Sequence, residues 1–170
     1  MADRPAKPAI ATVKARGGKA PKSKRADAKP KPSSRGKVQY AALPWRRLED
    51  GRAEILLISS RETRRWVIPK GWPIKGLASN MTAMREAYEE AGIEGYPSMA
   101  PLGAYGYLKR LRSGREKFVT VDVYALQVTV ENVDWPEKHE REKRWVSIAE
   151  AATLVDEPEL RMIIAGFQPR

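Results

Sequence analysis

Three glutamates and an arginine stand together near the middle of the chain: Arg85, Glu86, Glu89 and Glu90. On an α-helix, with about 100° of rotation per residue, the three carboxylates fall within an arc of about 100°. Like charges at this spacing repel, and Arg85 offsets part of the repulsion by pairing with Glu89 at i+4. A divalent cation relieves such repulsion, and carboxylate oxygens are the ligands that Mg²⁺ or Mn²⁺ prefers. The pattern predicts a metal site, with a solvated acidic helix face as the alternative.

The local sequence around these residues predicts the helix that carries them. Ser79 or Asn80 is suited to cap its start, and Gly92 is suited to end it. We expect the opposite face to form a buried apolar stripe. The residues of that predicted stripe are Met84, Ala87, Tyr88 and Ala91.

Apolar and alternating runs elsewhere predict a sheet. We place strands at residues 37–47, 53–59, 64–71, 102–111, 116–130 and 143–147, with a turn at 112–115. Ser147 and Glu150 form a capping box that opens a further helix, and a last helix covers about 159–166. Strands interspersed with helices predict a mixed β-sheet flanked by helices, which is an α/β/α sandwich.

Composition excludes several classes of site. The 170 residues contain no cysteine and a single histidine, His139. Disulfides, thiolate metal sites, cysteine nucleophiles and multi-histidine zinc sites are therefore excluded. No apolar run reaches the ~18 residues that a membrane span needs, and no secretory signal is recognisable near the N-terminus. We expect no membrane contact and a cytoplasmic location.

Positive charge is concentrated at the N-terminus. Residues 1–37 contain twelve Lys or Arg and two acids, so they carry +10 of the total net charge of +11. This Pro-, Ala- and Lys-rich segment is predicted to be a disordered basic tail, followed by one folded domain at 38–170. A contact with nucleic acid or another anionic surface is one interpretation of the tail. A solubilising tail and an organelle transit peptide are the others, although scattered prolines argue against the transit peptide.

The glutamate segment resembles the Nudix box, the signature of the Nudix hydrolase superfamily. The residues that match it in register are Gly71, Arg85, Glu86, Ala87, Glu89, Glu90, Gly92 and Ile93. Leu77 departs from the pattern, because the box has its first glutamate there. The flanking sequence resembles the diphosphoinositol polyphosphate phosphohydrolase-like branch. The resemblance implies the Nudix fold and a pyrophosphohydrolase that acts on acid anhydrides of phosphorus, and Leu77 leaves the number of metal ions open.

The same resemblance implies roles for individual residues. Glu86 and Glu90 would be the principal ligands of Mg²⁺ or Mn²⁺, and Glu89 a further ligand or the base that activates water. The backbone carbonyl of Lys70 would add a ligand, and Arg85 would orient the glutamates. A further acid is expected from the loop after the long strand. Its candidates are Glu137, Glu140 and Glu142, of which Glu140 is favoured.

Basic residues ahead of the box and in the predicted hairpin suggest how substrate is bound. The candidates are Arg61, Arg65, Lys70, Arg115 and Lys117. Their charges suit a polyphosphorylated small molecule, although a solvated turn explains the hairpin residues equally well. We therefore expect a Mg²⁺-dependent hydrolase that cleaves a diphosphate linkage of the diphosphoinositol polyphosphate or dinucleoside polyphosphate type. An RNA 5′-end pyrophosphohydrolase and a non-catalytic Nudix-fold binding module are the alternatives.

Overall fold

The computed structural model describes residues 37–110 and 114–169. The predicted tail lies outside these residues apart from Lys37, and the predicted turn at 112–115 is only partly described. The strands are β1 (Lys37–Arg47), β2 (Ala53–Ser59), β3 (Trp66–Val67), β4 (Lys70–Gly71), β5 (Ile93–Pro97), β6 (Gly103–Arg110), β7 (Glu116–Glu131) and β8 (Lys143–Ser147). The helices are α1 (Ser79–Ala91), α2 (Ile148–Leu154) and α3 (Pro158–Ala165).

The eight strands form one mixed sheet. Its main path runs β3-β2-β1-β7-β5, while β4 pairs with β1, β6 with β7 and β8 with β2. The pairing of β1 with β7 is parallel, and the other pairings are antiparallel. β1 and β7 are held in register from Lys37–Val119 to Trp45–Gln127, so these two strands form the centre of the sheet.

Alternation along the central strands gives the sheet two buried faces. In β2, Ile55 and Leu57 belong to one apolar cluster, whereas Leu56 and Ile58 belong to the other. The first cluster is completed by α2 and α3, and the second by α1. Helices thus cover both faces of a mixed sheet, which confirms the predicted α/β/α sandwich.

The acidic helix α1 differs in detail from the prediction. Its N-cap is Ala78, which has no side-chain cap, rather than Ser79 or Asn80. Ala87 and Ala91 are buried as expected, and Ala83 joins them, whereas Met84 is only partly buried against the same apolar cluster. Tyr88 is half-buried and belongs to neither core cluster, and the Arg85 guanidinium lies 5.4 Å from its ring centroid.

Gly92 ends α1 as the sequence predicts. Its φ of 69° is left-handed, and its N–H donates to the carbonyls of Ala87 and Tyr88. The chain then enters β5, a strand missing from the prediction. Gly95 and Pro97 disfavour a strand in isolation, but pairing with β7 overrides local preference. Of the predicted capping box, the Ser147 half is present, because its hydroxyl accepts the N–H of Glu150, whereas the Glu150 carboxylate pairs with Arg144.

Within residues 37–110 and 114–169, no helix has both the length and the apolar character needed to cross a bilayer.

We expect Gly92→Ala to destabilise the protein more than Gly51→Ala. Both glycines have positive φ, 69° and 83°, so alanine at either position incurs backbone strain of about 1 kcal/mol. A Cβ at Gly92 would also lie 2.6 Å from the Trp135 ring, whereas at Gly51 it would meet no atom within 4 Å. Chemical denaturation should show an additional loss of about 1–3 kcal/mol at Gly92. Equal losses would mean that Trp135 moves aside freely.

Candidate active site

The predicted acidic residues face a cavity of about 940 Å³. α1 and β4 form one wall, and β6 with the start of α3 forms another. Glu86, Glu90 and Glu137 line its acidic end, while Lys70, Lys109 and Arg110 add positive charge. The cavity therefore brings the carboxylates of the helix into the same space as several cations.

Gly71 and Glu86 are in close contact where β4 meets α1. A Cβ on Gly71 would lie 1.9 Å from the Glu86 carboxyl carbon, so a larger residue there would displace this side chain. Ion pairs hold Glu89 and Glu90, whereas Glu86 makes no hydrogen bond or ion pair within the described part of the chain. Glu86 thus presents a free, half-buried carboxylate to the cavity.

The surroundings of Glu86 favour its protonated form. Burial raises the pKa of the Glu86 carboxyl from its usual 4.5 to about 7, and repulsion from Glu90, Glu89 and Glu137 contributes in the same direction. This shift is the electrostatic consequence of gathering carboxylates at one end of a cavity. A cation placed there would return the group to its charged form.

Glu90 is buried rather than pointing outward as the helix geometry predicted. One carboxylate oxygen accepts the backbone N–H of Lys70 at 3.0 Å, and the other contacts the Arg141 guanidinium. Burial raises the pKa of Glu90, while Lys70 and Arg141 act to lower it. Arg141 compensates the charge of Glu90, which allows this carboxylate to leave water.

Arg141 is the residue of the site that sequence reasoning missed. Its side chain is only 8% exposed, although isolated arginines rarely bury so far. Besides Glu90, it donates to Glu137 at 2.7 Å and to the carbonyl of Ser59 at 3.1 Å. The i,i+4 spacing of Glu137 and Arg141 was a usable signal, but nothing local pointed to Glu90, which lies 51 positions away.

Glu89 and Arg85 form the predicted i,i+4 pair, with 2.6 Å between Nε and Oε1. Neither residue lines the cavity. The predicted metal set is therefore divided among three environments: Glu86 is free, Glu89 pairs with Arg85, and Glu90 contacts Arg141. In the described ranges, no three acidic or histidine side chains are grouped tightly enough to form a metal-binding cluster.

The loop between β7 and β8 carries the three candidates for a further acid. The backbone N–H of Glu137 donates to the carbonyl of Glu89 at the end of α1, which fixes the loop against the helix. Glu137 lines the cavity, whereas Glu140 is half-exposed and pairs with Arg61 at 3.1 Å. Glu142 is more exposed and pairs with Arg64. The structure brings Glu137 to Glu86 and Glu90, and it leaves the favoured candidate, Glu140, outside the cavity.

The predicted substrate-binding cations differ in whether they line the cavity and in whether they pair with acidic side chains. Arg61 lines the cavity but pairs with Glu137 and Glu140, and Arg65 lines it but pairs with Glu157 at 2.6 Å. Arg115 and Lys117 do not line it. Lys109 and Arg110, on the partner strand of the same hairpin, do so instead.

Lys70 contacts Glu90 at the acidic end of the cavity through its backbone and Tyr107 through its side chain. Its backbone binds Glu90, and its Nζ lies 5.8 Å from the centroid of the Tyr107 ring. Burial lowers the pKa of the Lys70 amine from 10.5 to about 8, against the opposing effect of Glu90. The amine is therefore a cation that burial has made costly, and an anionic ligand would stabilise it.

Comparison with known proteins assigns the family. A family model described as the NUDIX domain matches residues 39–167. The chain belongs to the Nudix family. Gly71, Arg85, Glu86, Glu89 and Glu90 are then the motif residues, and the structure gathers them where β4 meets α1.

Individual relatives agree with this Nudix assignment. Nudix hydrolase 12, mitochondrial, from Arabidopsis thaliana is 36% identical over 111 residues, which are 59% of this chain and 51% of the relative. The chain thus spans about half the length of the curated relatives that it matches first. An Ap4A hydrolase binary complex from C. elegans superposes with a TM-score of 0.55 and 23% identity, covering 76% of this chain and 93% of its own. A NUDIX hydrolase from Nitrosomonas europaea superposes with a TM-score of 0.59 and 20% identity. The superposition covers 76% of this chain and 86% of that one. These two structures share the fold.

Leu77 is the position at which this Nudix motif lacks a glutamate. It lies in the loop before α1, is 40% exposed, and its N–H donates to the carbonyl of Ile74. It does not line the cavity. Glu86, Glu90 and Glu137 therefore line the cavity without a contribution from this loop position.

Buried Glu90 and free Glu86 should respond differently to loss of charge. In chelator, Glu90→Gln removes the charge that compensates the buried Arg141, so unfolding free energy should fall by about 1–3 kcal/mol. Glu86→Gln removes repulsion and should leave stability unchanged or raised by a few tenths of a kcal/mol. Chemical denaturation of both variants measures this difference. Similar stabilities for the two would contradict the buried ion pair.

Because the pKa of Glu86 is raised, we expect the unfolding free energy to depend on pH. Between its usual pKa of 4.5 and about 7, the folded protein holds a proton that the unfolded chain releases. Unfolding free energy should therefore decrease as pH rises through this window, and Glu86→Gln should flatten the slope. The opposite contribution of Lys70 begins only near pH 8. Denaturation curves in chelator from about pH 5 to about pH 7.5 test the sign. An equal slope in wild type and variant would place the titration elsewhere.

Proposed function

We propose that this protein is a divalent-metal-dependent hydrolase that cleaves a diphosphate linkage in a phosphate-rich substrate. Its substrate is of the diphosphoinositol polyphosphate or the dinucleoside polyphosphate type. The observation that carries the proposal is the free carboxylate of Glu86, held beside Glu90 and Glu137 in a cavity that also contains Lys70. Carboxylates crowded in this way favour a cation, and the nearby amine favours phosphate.

The donor set fits Mg²⁺ or Mn²⁺ in its chemistry. Glu86, Glu90 and the backbone carbonyl of Lys70 would hold the ion, and Glu89 or Glu137 would complete the set of hard oxygen ligands. A bound ion would supply charge to the phosphoryl oxygens and lower the pKa of a coordinated water. The raised pKa of Glu86 supports the fit, because the crowded carboxylates lack sufficient positive charge of their own.

The remaining work falls to the residues of the chain itself. The Lys70 amine binds a phosphoryl oxygen, and Lys109 and Arg110, which also line the cavity, bind further phosphates. Arg141 orients Glu90 and Glu137 through its contacts with both carboxylates. Glu137 would accept a proton from the attacking water, and Arg85 holds the Glu89 carboxylate through their ion pair. Catalysis then depends chiefly on positioning and charge.

A substrate panel with Mg²⁺ tests the proposal. It contains diadenosine polyphosphates, diphosphoinositol polyphosphates, nucleotide sugars, nucleoside triphosphates and RNA with a 5′-triphosphate. We expect the best substrate to carry more than two phosphates, and we expect chelator to abolish turnover. Glu86→Gln should lower kcat/KM at least ~100-fold, about 3 kcal/mol of transition-state stabilisation. Absence of turnover on the whole panel would favour a non-catalytic binding module.

Glu137 and Glu140 provide a matched comparison within one loop. Glu137→Gln should lower kcat by about tenfold or more, because its carboxylate lines the cavity beside Glu86 and Glu90. Glu140→Gln makes the same charge change outside the cavity, and its kcat should stay within about threefold of the wild-type value. Steady-state kinetics on the best panel substrate measure both. A larger loss of kcat for Glu140→Gln than for Glu137→Gln would mean that Glu140, the candidate favoured by the sequence, is the further acid.

RNA is a second candidate substrate, favoured by the mouth of the cavity. Trp72 is 37% exposed there, and the amines of Lys37 and Lys109 lie 5.6 and 5.1 Å from its ring centroid. An aromatic surface beside cations suits a stacked base and its phosphate. On this hypothesis, turnover of the RNA in the panel should fall steeply with added salt, and turnover of a dinucleotide should fall less.

A further inference from the structure

The strand β6 has one edge without a partner strand. Within residues 37–110 and 114–169, β6 pairs with β7 alone, and this ladder runs without a bulge from Gly103–Val123 to Arg110–Glu116. The backbone N–H and C=O groups on the other side of the strand are therefore left without a strand partner. An edge of this length is a template for a further strand unless the sequence protects it.

The neighbouring edge strand, β5, is protected in the ways that β6 is not. β5 pairs with the C-terminal part of β7, and its register shifts between Glu94 and Gly95. It also ends in a proline, Pro97, which has no N–H to donate. A bulge and a proline both oppose the addition of a strand. β6 contains no proline, and its only charged residues are Lys109 and Arg110 at its C-terminal end.

Two large apolar side chains are exposed beside this open edge. Leu108 on β6 is 61% exposed, and Phe118, directly opposite it on β7, is 58% exposed. The Phe118 ring reaches across to Gly106, where a Cβ would lie 2.4 Å from its Cζ. The open backbone edge and an uncovered apolar pair thus lie side by side. A partner that covers both would gain strand hydrogen bonds and apolar burial together.

A second β6 strand fits this edge in an antiparallel, two-fold arrangement. A two-fold axis perpendicular to the sheet preserves its faces, so directly opposed residues must both be odd or both be even in number. When Tyr107 lies opposite Tyr107 of the second copy, Leu108 lies opposite Gly106 of that copy. Leu108 then meets the Phe118 ring that already covers this glycine. Shifting the register by two residues would instead place Leu108 opposite Ala104 and away from Phe118.

The charges of β6 are compatible with this self-pairing. In the antiparallel register Lys109 lies opposite Tyr105 of the second copy, so the two Lys109 positions are separated by roughly 13 Å along the strands. The two Arg110 positions are farther apart, at roughly 20 Å. Both separations exceed the screening length of about 8 Å at physiological salt. A parallel pairing would place these like charges side by side, so charge favours the two-fold arrangement.

We propose that β6 is a self-association surface, at which a second copy of this chain pairs antiparallel with β6 to form a homodimer with one continuous sheet. Each copy uses its β6 edge once, so the two-fold contact closes and does not propagate into a filament. Tyr107, which lines the candidate active site, would lie at the two-fold axis. The dimer would therefore bring the two cavities next to each other. This proposal does not depend on the hydrolase function proposed above.

Disulfide trapping tests the register, because the chain contains no cysteine of its own. Tyr107→Cys places two thiols directly opposite each other across the axis, within the reach of a disulfide. Lys109→Cys lies on the same face of the same strand, but its two copies are too far apart to be bridged. After oxidation of the full-length variants, the cross-linked fraction at twice 19.1 kDa should be at least ~10-fold larger for Tyr107→Cys. Equal fractions would mean random collision and would overturn the inference.

Sedimentation equilibrium of the full-length protein gives a second measurement that needs no cysteine. Phe118→Asp should raise the dimer Kd at least ~100-fold, because the contact would bury its carboxylate without a partner. Val133→Asp makes the same kind of change at a position that is 87% exposed in the loop after β7, and it should leave the Kd within about threefold of wild type.

A wild type that stays monomeric at about 100 μM would overturn the inference and leave the edge to a different kind of partner. Equal Kd values for Phe118→Asp and Val133→Asp would place the dimer contact on another surface, which also overturns it.

Discussion

The buried contact between Glu90 and Arg141 is the interaction on which the rest of the site depends. It joins α1 to the loop between β7 and β8, and Arg141 extends the connection to the end of β2 through the Ser59 carbonyl. The same glutamate receives the N–H of Lys70, so β4 is tied to the same point. Two charges can remain buried here because each has several partners. Loss of either would leave the other uncompensated.

This ion pair also allows other carboxylates to remain uncompensated. Arg141 neutralises Glu90 and contacts Glu137, but its positive charge does not suffice for Glu86 as well. The repulsion that remains makes this region less stable than an apolar core would be. Proteins accept such local costs at sites that bind charged ligands. The site therefore combines the buried pair of Glu90 and Arg141 with the carboxylate of Glu86, whose charge is not compensated.

The parts of this structure that follow from short-range patterns were predictable from sequence. The strand β2, the end of α1 at Gly92 and the pair of Arg85 with Glu89 each depend on residues close in the chain. Burial of Glu90 could not be predicted, because it requires Arg141, which only the folded loop brings near. β5 escaped prediction for a similar reason, since its register is set by β7 across the sheet. Long-range partners override local preference in both cases.

The extra acid shows how backbone anchoring decides among chemically equal side chains. Glu137, Glu140 and Glu142 have the same functional group within one short loop, so composition alone could not separate them. The N–H of Glu137 is bonded to the carbonyl of Glu89, which leaves its side chain facing the cavity. The other two are directed to Arg61 and Arg64 at the surface.

The cavity as a whole is polar at both ends, and each end is supported by a different helix. α1 supplies Glu86 and Glu90, while Glu157 begins α3 on the opposite face of the sheet. β4 and β6 pass between them and carry Lys70 and Tyr107, whose side chains lie against each other. Because secondary structure elements hold all of these groups, their separation is set by the sheet rather than by mobile loops. A ligand that contacts both ends must therefore match a fixed length, which makes the sheet itself a determinant of which substrates fit.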